Sequence, residues 1–387
     1  MLETQMNSCT GCRACEIACP MKCISIEIDE QGFLYPKVEA EQCINCGKCN
    51  EVCHVQILDK AKLTSERLDE KTVLFGHSKT SSIVEKSSSG GAFSSIAECW
   101  ALEDGIIVGS AYGKDMYVHH VCCPAKDFDP LYKSKYVFSD PMDTYFQVEK
   151  YFQAGKRVLF TGTPCQVAGL KAYLGKEKDE LLTMDFICHG TPSMLMLENH
   201  IACLEKKYKK KIVKVDFRSK KLGWKQHCFY CKFDDGSEYV KPWREDFYLS
   251  LFMGYENLRM CCYNCQYSNK KQVSDITVAD FWGIVKYRAE LDTDRGESLL
   301  IANTVKGREL LNLLYDKGIM ELQKVEEEYW SYIYKVHKYP IDRRNQFFAK
   351  YKKEGYECLE KRFQTLLKVK HLCFVLKNAI KKIINRP

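Results

Sequence analysis

Eight cysteines near the start of the chain repeat one spacing twice. Each run reads Cys-x2-Cys-x2-Cys-x3-Cys. The members are Cys9, Cys12, Cys15 and Cys19 in the first run, and Cys43, Cys46, Cys49 and Cys53 in the second. Thiolates at this spacing bind [4Fe–4S] clusters, whereas zinc more often takes two spaced pairs of ligands and disulfides suit small secreted scaffolds. The runs therefore predict two [4Fe–4S] clusters.

The same run is typical of two-cluster bacterial ferredoxins, in which the fourth cysteine of each run ligates the cluster of the other run. We therefore expect two crossed sets of ligands. Cluster I takes Cys9, Cys12, Cys15 and Cys53, and cluster II takes Cys43, Cys46, Cys49 and Cys19. His54 follows the second run where Pro20 follows the first, which changes a turn and not a ligand. Cys23 lies outside the pattern, and we predict a small buried residue there rather than a ligand.

The composition indicates a globular chain of two or three domains, because 45% of the 387 residues are hydrophobic. The net charge of +7 is mild and could attract an acidic redox partner such as a ferredoxin. The basic residues form no recognisable DNA or RNA motif, so we expect no nucleic-acid partner. We also expect no secretory leader and no membrane-spanning helix. With cysteines suited to a reducing compartment, the prediction is a cytoplasmic protein.

The pattern of elements predicts a fold of the α/β and α+β multidomain class. After the cysteine runs, strands alternate with helices, as in layered α/β structures. Residues 211–250 are more typical of antiparallel strands, with a hairpin turn at 234–236. The expected segments are 1–60, the ferredoxin-type domain; 73–155 and 156–310, two α/β segments; and 311–387, a helical tail.

The end of the tail has the pattern of a basic amphipathic helix over residues 363–385. Its apolar positions are Leu366, Val369, Cys373, Leu376, Ile380 and Ile383, and the interleaved lysines are Lys368, Lys370, Lys377, Lys381 and Lys382. Such a helix can lie on an anionic membrane. It can also dock on its own domain or on a partner subunit, which is the more common use of one apolar face.

Six further motifs occur in one order along the chain. They are Ser88-Ser-Gly-Gly-Ala-Phe93, Ser134-Lys-Tyr136, Gly162-Thr-Pro-Cys-Gln166, Cys188-His-Gly190, Cys262-Tyr-Asn-Cys265 and Ser274-Asp-Ile-Thr-Val-Ala-Asp-Phe-Trp-Gly283. With the ferredoxin runs, they make residues 1–310 resemble the family of the β subunit of coenzyme F420-reducing hydrogenase and F420H2 dehydrogenase. That family is also similar to ferredoxin-dependent chlorophyll-pathway reductases.

The resemblance implies an iron–sulfur flavoprotein oxidoreductase, in which FAD exchanges hydride with an organic substrate. That substrate is expected to be an F420-like cofactor or a biosynthetic intermediate, such as a glycan precursor. The resemblance also implies a flavin-binding domain like the amino-terminal domain of the β subunit over residues 73–155, and a domain like its carboxyl-terminal domain over residues 156–310. FAD rests on the resemblance alone, since the chain lacks a Gly-x-Gly-x-x-Gly fingerprint. A second hypothesis is an electron-transfer subunit that connects a catalytic partner to soluble carriers and has no substrate of its own.

The motifs also suggest where a flavin would bind. Small residues before a helix let backbone N–H groups approach a phosphate, although the same loop could simply cap the helix. Lys135 would neutralise a phosphate or the reduced flavin, and His189 would donate the proton; the alternatives are a surface lysine and a structural histidine. The predicted cofactor residues are Ser88, Ser89, Gly90, Gly91, Lys135, Gly162 and Thr163.

Four cysteines of the family motifs suggest a third [4Fe–4S] cluster, provided that the fold gathers them. They are Cys165, Cys188, Cys262 and Cys265. A zinc ribbon made by the pairs Cys228/Cys231 and Cys262/Cys265 is an alternative, although the gap of about 30 residues is long for a ribbon. Plain buried thiols are the third possibility.

Overall fold

A computed structural model of the protein describes residues 2, 6–57, 63, 67–102, 104–113, 116–268, 272–331 and 340–384. The strands are β1 Ile24–Ile28, β2 Leu34–Val38, β3 Arg67–Ser78, β4 Ile106–Tyr112, β5 Val118–Pro124, β6 Val158–Thr161, β7 Leu181–Phe186, β8 Ile212–Ser219, β9 Cys228–Phe233, β10 Glu238–Pro242, β11 Ile276–Asp280, β12 Ser298–Thr304 and β13 Met320–Lys324. The helices are α1 Ala14–Ala18, α2 Lys48–Glu51, α3 Ser81–Lys86, α4 Ala92–Ala101, α5 Thr144–Gln153, α6 Pro164–Leu174, α7 Met194–Tyr208, α8 Phe247–Met253, α9 Ile284–Tyr287, α10 Val305–Asp316, α11 Glu327–Trp330, α12 Ile341–Glu354 and α13 Tyr356–Ile384.

The largest layer is a mixed sheet of eight strands in the order β13-β3-β12-β11-β7-β6-β4-β5. Its central strands β11, β7, β6 and β4 are parallel, so their carboxyl ends meet at one edge. Loops at this edge are where α/β sheets commonly bind ligands. The sheet takes strands from both 73–155 and 156–310, so the expected boundary between these segments does not separate two structural units.

The tail after residue 310 is not wholly helical, because β13 pairs antiparallel with β3 at the edge of the large sheet. The buried side chains of Met320 and Leu322 alternate with the exposed Glu321, which is the period of a strand with one covered face. The strand therefore corrects the expectation of an all-helical segment. Helix α13 does run through the predicted amphipathic stretch. No helix in the described ranges is long and apolar enough to span a bilayer.

The ferredoxin-type unit is built around the hairpin β1–β2 and does not stand apart from the rest of the chain. Phe33, Leu34 and Tyr35 are buried in a core that includes side chains of α7, α8 and α12. The turn before them packs closely, since a Cβ on Gly32, whose φ is 83°, would lie 2.5 Å from the Leu195 Cβ of α7. These contacts hold the cysteine runs against the carboxyl-terminal half of the chain.

An ion pair fixes the other side of the unit. The Arg13 guanidinium lies against both carboxylate oxygens of Asp140, with both nitrogen–oxygen distances at 2.6 Å. Asp140 is almost fully buried and also accepts from the Tyr117 hydroxyl at 2.8 Å. A charge-assisted hydrogen bond from arginine to a buried carboxylate has a defined geometry. The pair therefore fixes the orientation of the first cysteine run against β5.

The small sheet, in the order β10-β9-β8, is antiparallel throughout, and its β9–β10 turn falls at the predicted hairpin. Helix α12 packs beside it through Phe347 and Phe348. Arg344 of this helix donates from Nε to the Leu258 carbonyl at 2.7 Å. The antiparallel sheet and the carboxyl-terminal helices thus form a second layer next to the ferredoxin-type unit.

Candidate iron–sulfur and cofactor sites

The first and second cysteine runs line two separate cavities. One cavity is lined by Cys9, Cys12, Cys15 and Cys53, together with the residues between the first three. The other is lined by Cys19, Cys43, Cys46 and Cys49. Each cavity therefore takes its fourth thiol from the other run, which is the crossed arrangement of a two-cluster ferredoxin. The donor sets fit cluster I and cluster II.

A fifth thiol belongs to the cluster II cavity. Cys23 is buried, and its Sγ lies 3.5 Å from the Sγ of Cys19. Its backbone carbonyl accepts from Glu39 at 2.8 Å, which holds the residue at the start of the β1–β2 ladder. Cys23 is thus the small buried residue that the sequence predicts, but its thiol faces the ligands of cluster II.

Four other cysteines converge at the carboxyl edge of the large sheet. Cys165 lies in the first turn of α6, after β6, and Cys188 follows β7. A short turn at Met260–Asn264 brings Cys262 and Cys265 to them. Burial raises the pKa of the Cys165 thiol to about 12, and Cys265 and Cys262 add to this shift. The pKa of Cys188 is raised by burial and by the other three thiols.

Backbone N–H donors surround these four cysteines, Cys165, Cys188, Cys262 and Cys265, which we call the second-half thiol group. Gly190 N–H points to the Cys188 sulfur at 3.4 Å, Thr191 N–H to Cys262 at 3.3 Å and Tyr267 N–H to Cys265 at 3.4 Å. Donors of this kind stabilise thiolates and tune the potential of a bound cluster. Four half-buried, converging thiols with N–H donors fit a [4Fe–4S] cluster as a donor set.

The structure does not support the zinc ribbon. Cys228 and Cys231 lie three positions apart on β9, so their side chains point to opposite faces of the strand. Both are fully buried, and Cys228 is bonded to the Ser219 carbonyl. Two opposed thiols cannot share one tetrahedral ion with Cys262 and Cys265.

No three His, Cys, Asp or Glu side chains of the described residues lie close enough together to hold a single metal ion.

Cluster I and the second-half thiol group are neighbours across helix α6. Cys165 and Gly169 are one turn apart on the same face of this helix. A Cβ on Gly169 would lie 2.9 Å from the Cβ and 3.1 Å from the Sγ of Cys12. His54 makes a second connection, since its ring is bonded to Thr10 at 2.9 Å and to the Tyr267 hydroxyl at 2.7 Å. The replacement of proline by histidine after the second run therefore links the two regions.

The Ser88–Gly91 loop lies between α3 and α4 and is tied to the large sheet. Ser89 donates to the Glu297 carbonyl at 2.8 Å, and the Gly90 N–H donates to Ser298 at 3.0 Å. Gly91 is the N-cap of α4 with a φ of 92°, and no side chain caps that helix. The N–H of Gly90 is therefore already used, whereas the first turn of α4 has no side-chain acceptor.

Two lysines that the sequence did not single out attach to this loop. Lys220 donates to the Val84 carbonyl at 2.7 Å and to the Ser89 carbonyl at 2.8 Å. Lys133 lies 3.3 Å from the Ser87 carbonyl. Burial, with Lys133 and Arg218 nearby, lowers the pKa of Lys220 to about 8. A set of crowded cations beside a small-residue loop is suited to binding an anion.

Arg218 lies near the same lysines, since its charge also acts on Lys220; we call Lys133, Lys220 and Arg218 the basic group. Arg218 is 2% exposed, its Nη2 donates to Asp280 at 2.9 Å, and its Nη1 has no hydrogen-bond partner among the described residues. Asp280 also accepts from the Trp224 indole at 3.3 Å. Trp224 stacks on Trp282, whose ring centroid is 4.5 Å away and which is 43% exposed although it is a large aromatic residue. An aromatic pair and an incompletely paired arginine thus line the end of β11.

The other predicted site residues have mainly structural partners. Lys135 donates to the Pro130 carbonyl at 3.1 Å and to the Tyr132 carbonyl at 2.7 Å. His189 is 3.1 Å from the Phe252 carbonyl and stacks on Tyr255, with 4.1 Å between centroids. The buried His120 of β5 is hydrogen-bonded to the Thr161 carbonyl at 3.1 Å, and burial lowers its pKa to about 4.

Gly162 and Thr163 form the turn from β6 into α6. The N–H of Thr163 donates to Gln166, and the two residues make a capping box for the helix. The Thr163 hydroxyl lies 3.1 Å from the Cys165 sulfur. This turn therefore positions Cys165.

Comparison with known families adds two findings. The model for the 4Fe-4S dicluster domain matches residues 8–57. The model for the carboxyl terminus of the coenzyme F420 hydrogenase/dehydrogenase β subunit matches residues 155–328. The chain carries the C-terminal domain of the coenzyme F420 hydrogenase/dehydrogenase β-subunit family. The predicted family and the predicted ferredoxin-type domain are confirmed.

The β-subunit family domain contains all four cysteines of the second-half thiol group, together with Arg218 and Lys220. The Ser88–Gly91 loop and Lys135 lie outside both matched ranges. No curated protein matches the chain. A chain in the xenon-derivatised structure of the F420-reducing [NiFe] hydrogenase complex from Methanosarcina barkeri is similar at 16% identity and a TM-score of 0.46, covering 74% of this chain and 93% of that chain.

Proposed function

We propose that the protein is an iron–sulfur flavoprotein oxidoreductase that moves electrons between a soluble redox protein and an organic substrate. Clusters carry single electrons, and a flavin converts between one- and two-electron transfer. The proposed substrate is a two-electron acceptor or donor such as an F420-like deazaflavin or a biosynthetic intermediate. FAD and the third cluster are parts of this proposal.

The observation that carries the proposal is the order of the three thiol groups in space. Cluster II has the exposed Cys46 and the exposed side chains of Met21 and Ile44 at its mouth. Cluster I follows, with Cys12 against α6. The second-half thiol group then lies at the carboxyl edge of the sheet. In the proposed route, electrons would enter at the surface through cluster II and pass inward through cluster I to the second-half thiol group.

The basic group of Lys133, Lys220 and Arg218 lies near the same edge of the sheet as the second-half thiol group. Cys188 follows β7, and Asp280 ends the neighbouring parallel strand β11. In the proposed arrangement, Lys133, Lys220 and the first turn of α4 hold the flavin phosphates. Arg218, held by Asp280, faces the ring system or the substrate with its free Nη1. His189 stays the proposed proton donor, which requires it to release the Phe252 carbonyl.

A count of cofactors tests the proposal directly. After anaerobic purification and reconstitution, we expect about twelve irons, with matching sulfide, and one flavin per chain, since each of three cubane clusters contributes four irons. About eight irons without flavin would instead support the second hypothesis, a subunit that only relays electrons. The family model that matches residues 155–328 describes a β subunit, which works within a larger assembly. This match favours the second hypothesis.

Lys220 provides a sharper test of the flavin site. In Lys220→Ala we expect FAD to bind at least about tenfold more weakly, because a charged contact to phosphate is lost. The wild-type affinity should also fall as the pH rises through about 8, since the ammonium group is then lost. Fluorescence titration of the apoprotein with FAD at pH 6.5 to 9.5 measures both effects.

The neighbouring Lys221 is the matched control for this variant. It pairs with Glu238 on the small sheet, so Lys221→Ala should bind FAD like the wild type. If Lys220→Ala and Lys221→Ala bind FAD equally well, and the wild-type affinity does not fall at high pH, then the flavin does not bind at the Ser88–Gly91 loop.

A further inference from the structure

We propose that the buried guanidinium of Arg259 raises the reduction potential of cluster I. Electrons then move from cluster II to cluster I, toward the carboxyl-terminal half of the chain. The proposal concerns the confirmed ferredoxin-type domain, and it does not require flavin or a third cluster. Arg259 acts as a positioning and tuning residue, since its guanidinium contacts the protein around the cluster ligands rather than a substrate.

Arg259 spans the junction between the two halves of the chain. Its Nε donates to the Cys9 carbonyl at 2.7 Å, and its Nη2 donates to the Leu34 carbonyl at 2.6 Å. The guanidinium also lies over the Tyr35 ring, 4.1 Å from its centroid. These contacts place a cation from the carboxyl-terminal domain directly against the loop that begins cluster I.

The charge of Arg259 has no carboxylate to neutralise it among the described residues. The side chain is only 1% exposed, and both hydrogen-bond acceptors are neutral carbonyls. Its Nη1 is buried without a hydrogen-bond partner. Burying an unpaired guanidinium is costly unless negative charge lies nearby. The fold therefore places this cation where negative charge is expected.

The position of Nη1 indicates where that negative charge is. A Cβ on Gly11 would lie 3.1 Å from Nη1, so this nitrogen faces the turn between Cys9 and Cys12. The thiols that act most strongly on the guanidinium are those of Cys9, Cys261 and Cys262. Arg259 thus lies between a cluster I ligand and the second-half thiol group.

The consequence for electron transfer follows from charge alone. When cluster I takes one electron from a reduced carrier, its net negative charge grows by one, and no bond or proton transfer is needed. A nearby cation in a low-dielectric surrounding stabilises the more negative, reduced state. Net charge and hydrogen bonding are among the factors that set cluster potentials. Among the described residues that line the cavity of cluster II, the cation is Lys48, whose side chain is exposed and therefore screened by solvent, so cluster I should be reduced first.

The test is a redox titration of the full-length protein, followed by electron paramagnetic resonance, with iron counted in every variant. In Arg259→Met we expect the ratio of reduced to oxidised cluster I at a fixed potential to fall about tenfold, or about 59 mV for a one-electron couple. Cluster II serves as the internal reference and should shift much less. Arg259→Lys keeps the charge and should recover most of the difference.

Arg344→Met is the matched control, because Arg344 is also a buried arginine at this junction, with 3% exposure and a carbonyl partner. It should leave the gap between the clusters unchanged. An unchanged gap in Arg259→Met, or an equal fall of both clusters, overturns the proposal. If Arg259→Met does not retain iron, the redox titration of the wild-type protein is the test. Reduction of cluster II before cluster I, or at the same potential, overturns the proposal.

Discussion

Cys188→Ala should lower the iron content from about twelve to about eight per chain and leave both ferredoxin-type clusters in place. The reason is that Cys188 lies within the second-half thiol group, where burial and the thiols of Cys262, Cys165 and Cys265 raise its pKa. A [4Fe–4S] cluster needs one thiolate for each iron, and Cys188 supplies one of the four thiolates of this group. Iron and sulfide analysis after anaerobic reconstitution measures the loss.

Cys228→Ala is the matched control for this variant. Cys228 is another buried cysteine of the same half of the chain, but it lies on β9 and its thiol is bonded to the Ser219 carbonyl. Its removal should leave the iron content unchanged. If wild type and Cys188→Ala both contain about eight irons, the second-half group holds no cluster, and the relay would end at cluster I.

The two ferredoxin-type clusters should respond differently to the loss of one ligand cysteine. Cys15→Ala should lose cluster I, whereas Cys19→Ala should keep cluster II, because Cys23 lies 3.5 Å from Cys19 and lines the same cavity. In that variant an iron–sulfur bond forms to Cys23 in place of Cys19, and the thiol proton of Cys23 passes to water. Among the residues that the structure describes, the cavity of cluster I is lined by its four cysteines and by no fifth one.

Iron content and the electron paramagnetic resonance signal of each reduced variant show the contrast. The double variant Cys19→Ala/Cys23→Ala should lose cluster II, while Cys23→Ala alone should retain it. Equal iron loss in Cys15→Ala and Cys19→Ala would mean that Cys23 cannot reach the iron and is only a packed thiol.

Local spacing was sufficient to predict the ferredoxin-type domain. Consecutive ligands within each run are at most four positions apart, so the loop geometry that wraps a cluster is encoded in a short segment. The β1–β2 hairpin and the alternation of strands and helices are also local patterns, and both occur in the structure. The motif order was enough to identify the β-subunit family.

Tertiary structure decided the surroundings of the proposed flavin loop. Lys220 reaches Ser89 of the Ser88–Gly91 loop from 131 positions away, and Lys133 reaches the adjoining Ser87 from 46 positions away, which no short window of sequence can reveal. Lys135, two positions from Lys133, turns instead to local carbonyls. A change of two positions in an irregular segment is enough to redirect a side chain, so the choice between these lysines was beyond a sequence pattern.

The chain by itself therefore determined which cysteines of the ferredoxin-type domain can bind iron, because thiolate chemistry and short spacing do not depend on the rest of the fold. Only the tertiary structure decided how these cysteines lie relative to the second-half thiol group. Cys165 and Cys188 meet because β6 and β7 are parallel neighbours whose carboxyl ends lie at one edge. Arg259 lies beside Cys9, 250 positions away in sequence, because the hairpin and α7 share a core. Contacts between distant segments follow from packing, which local sequence does not encode.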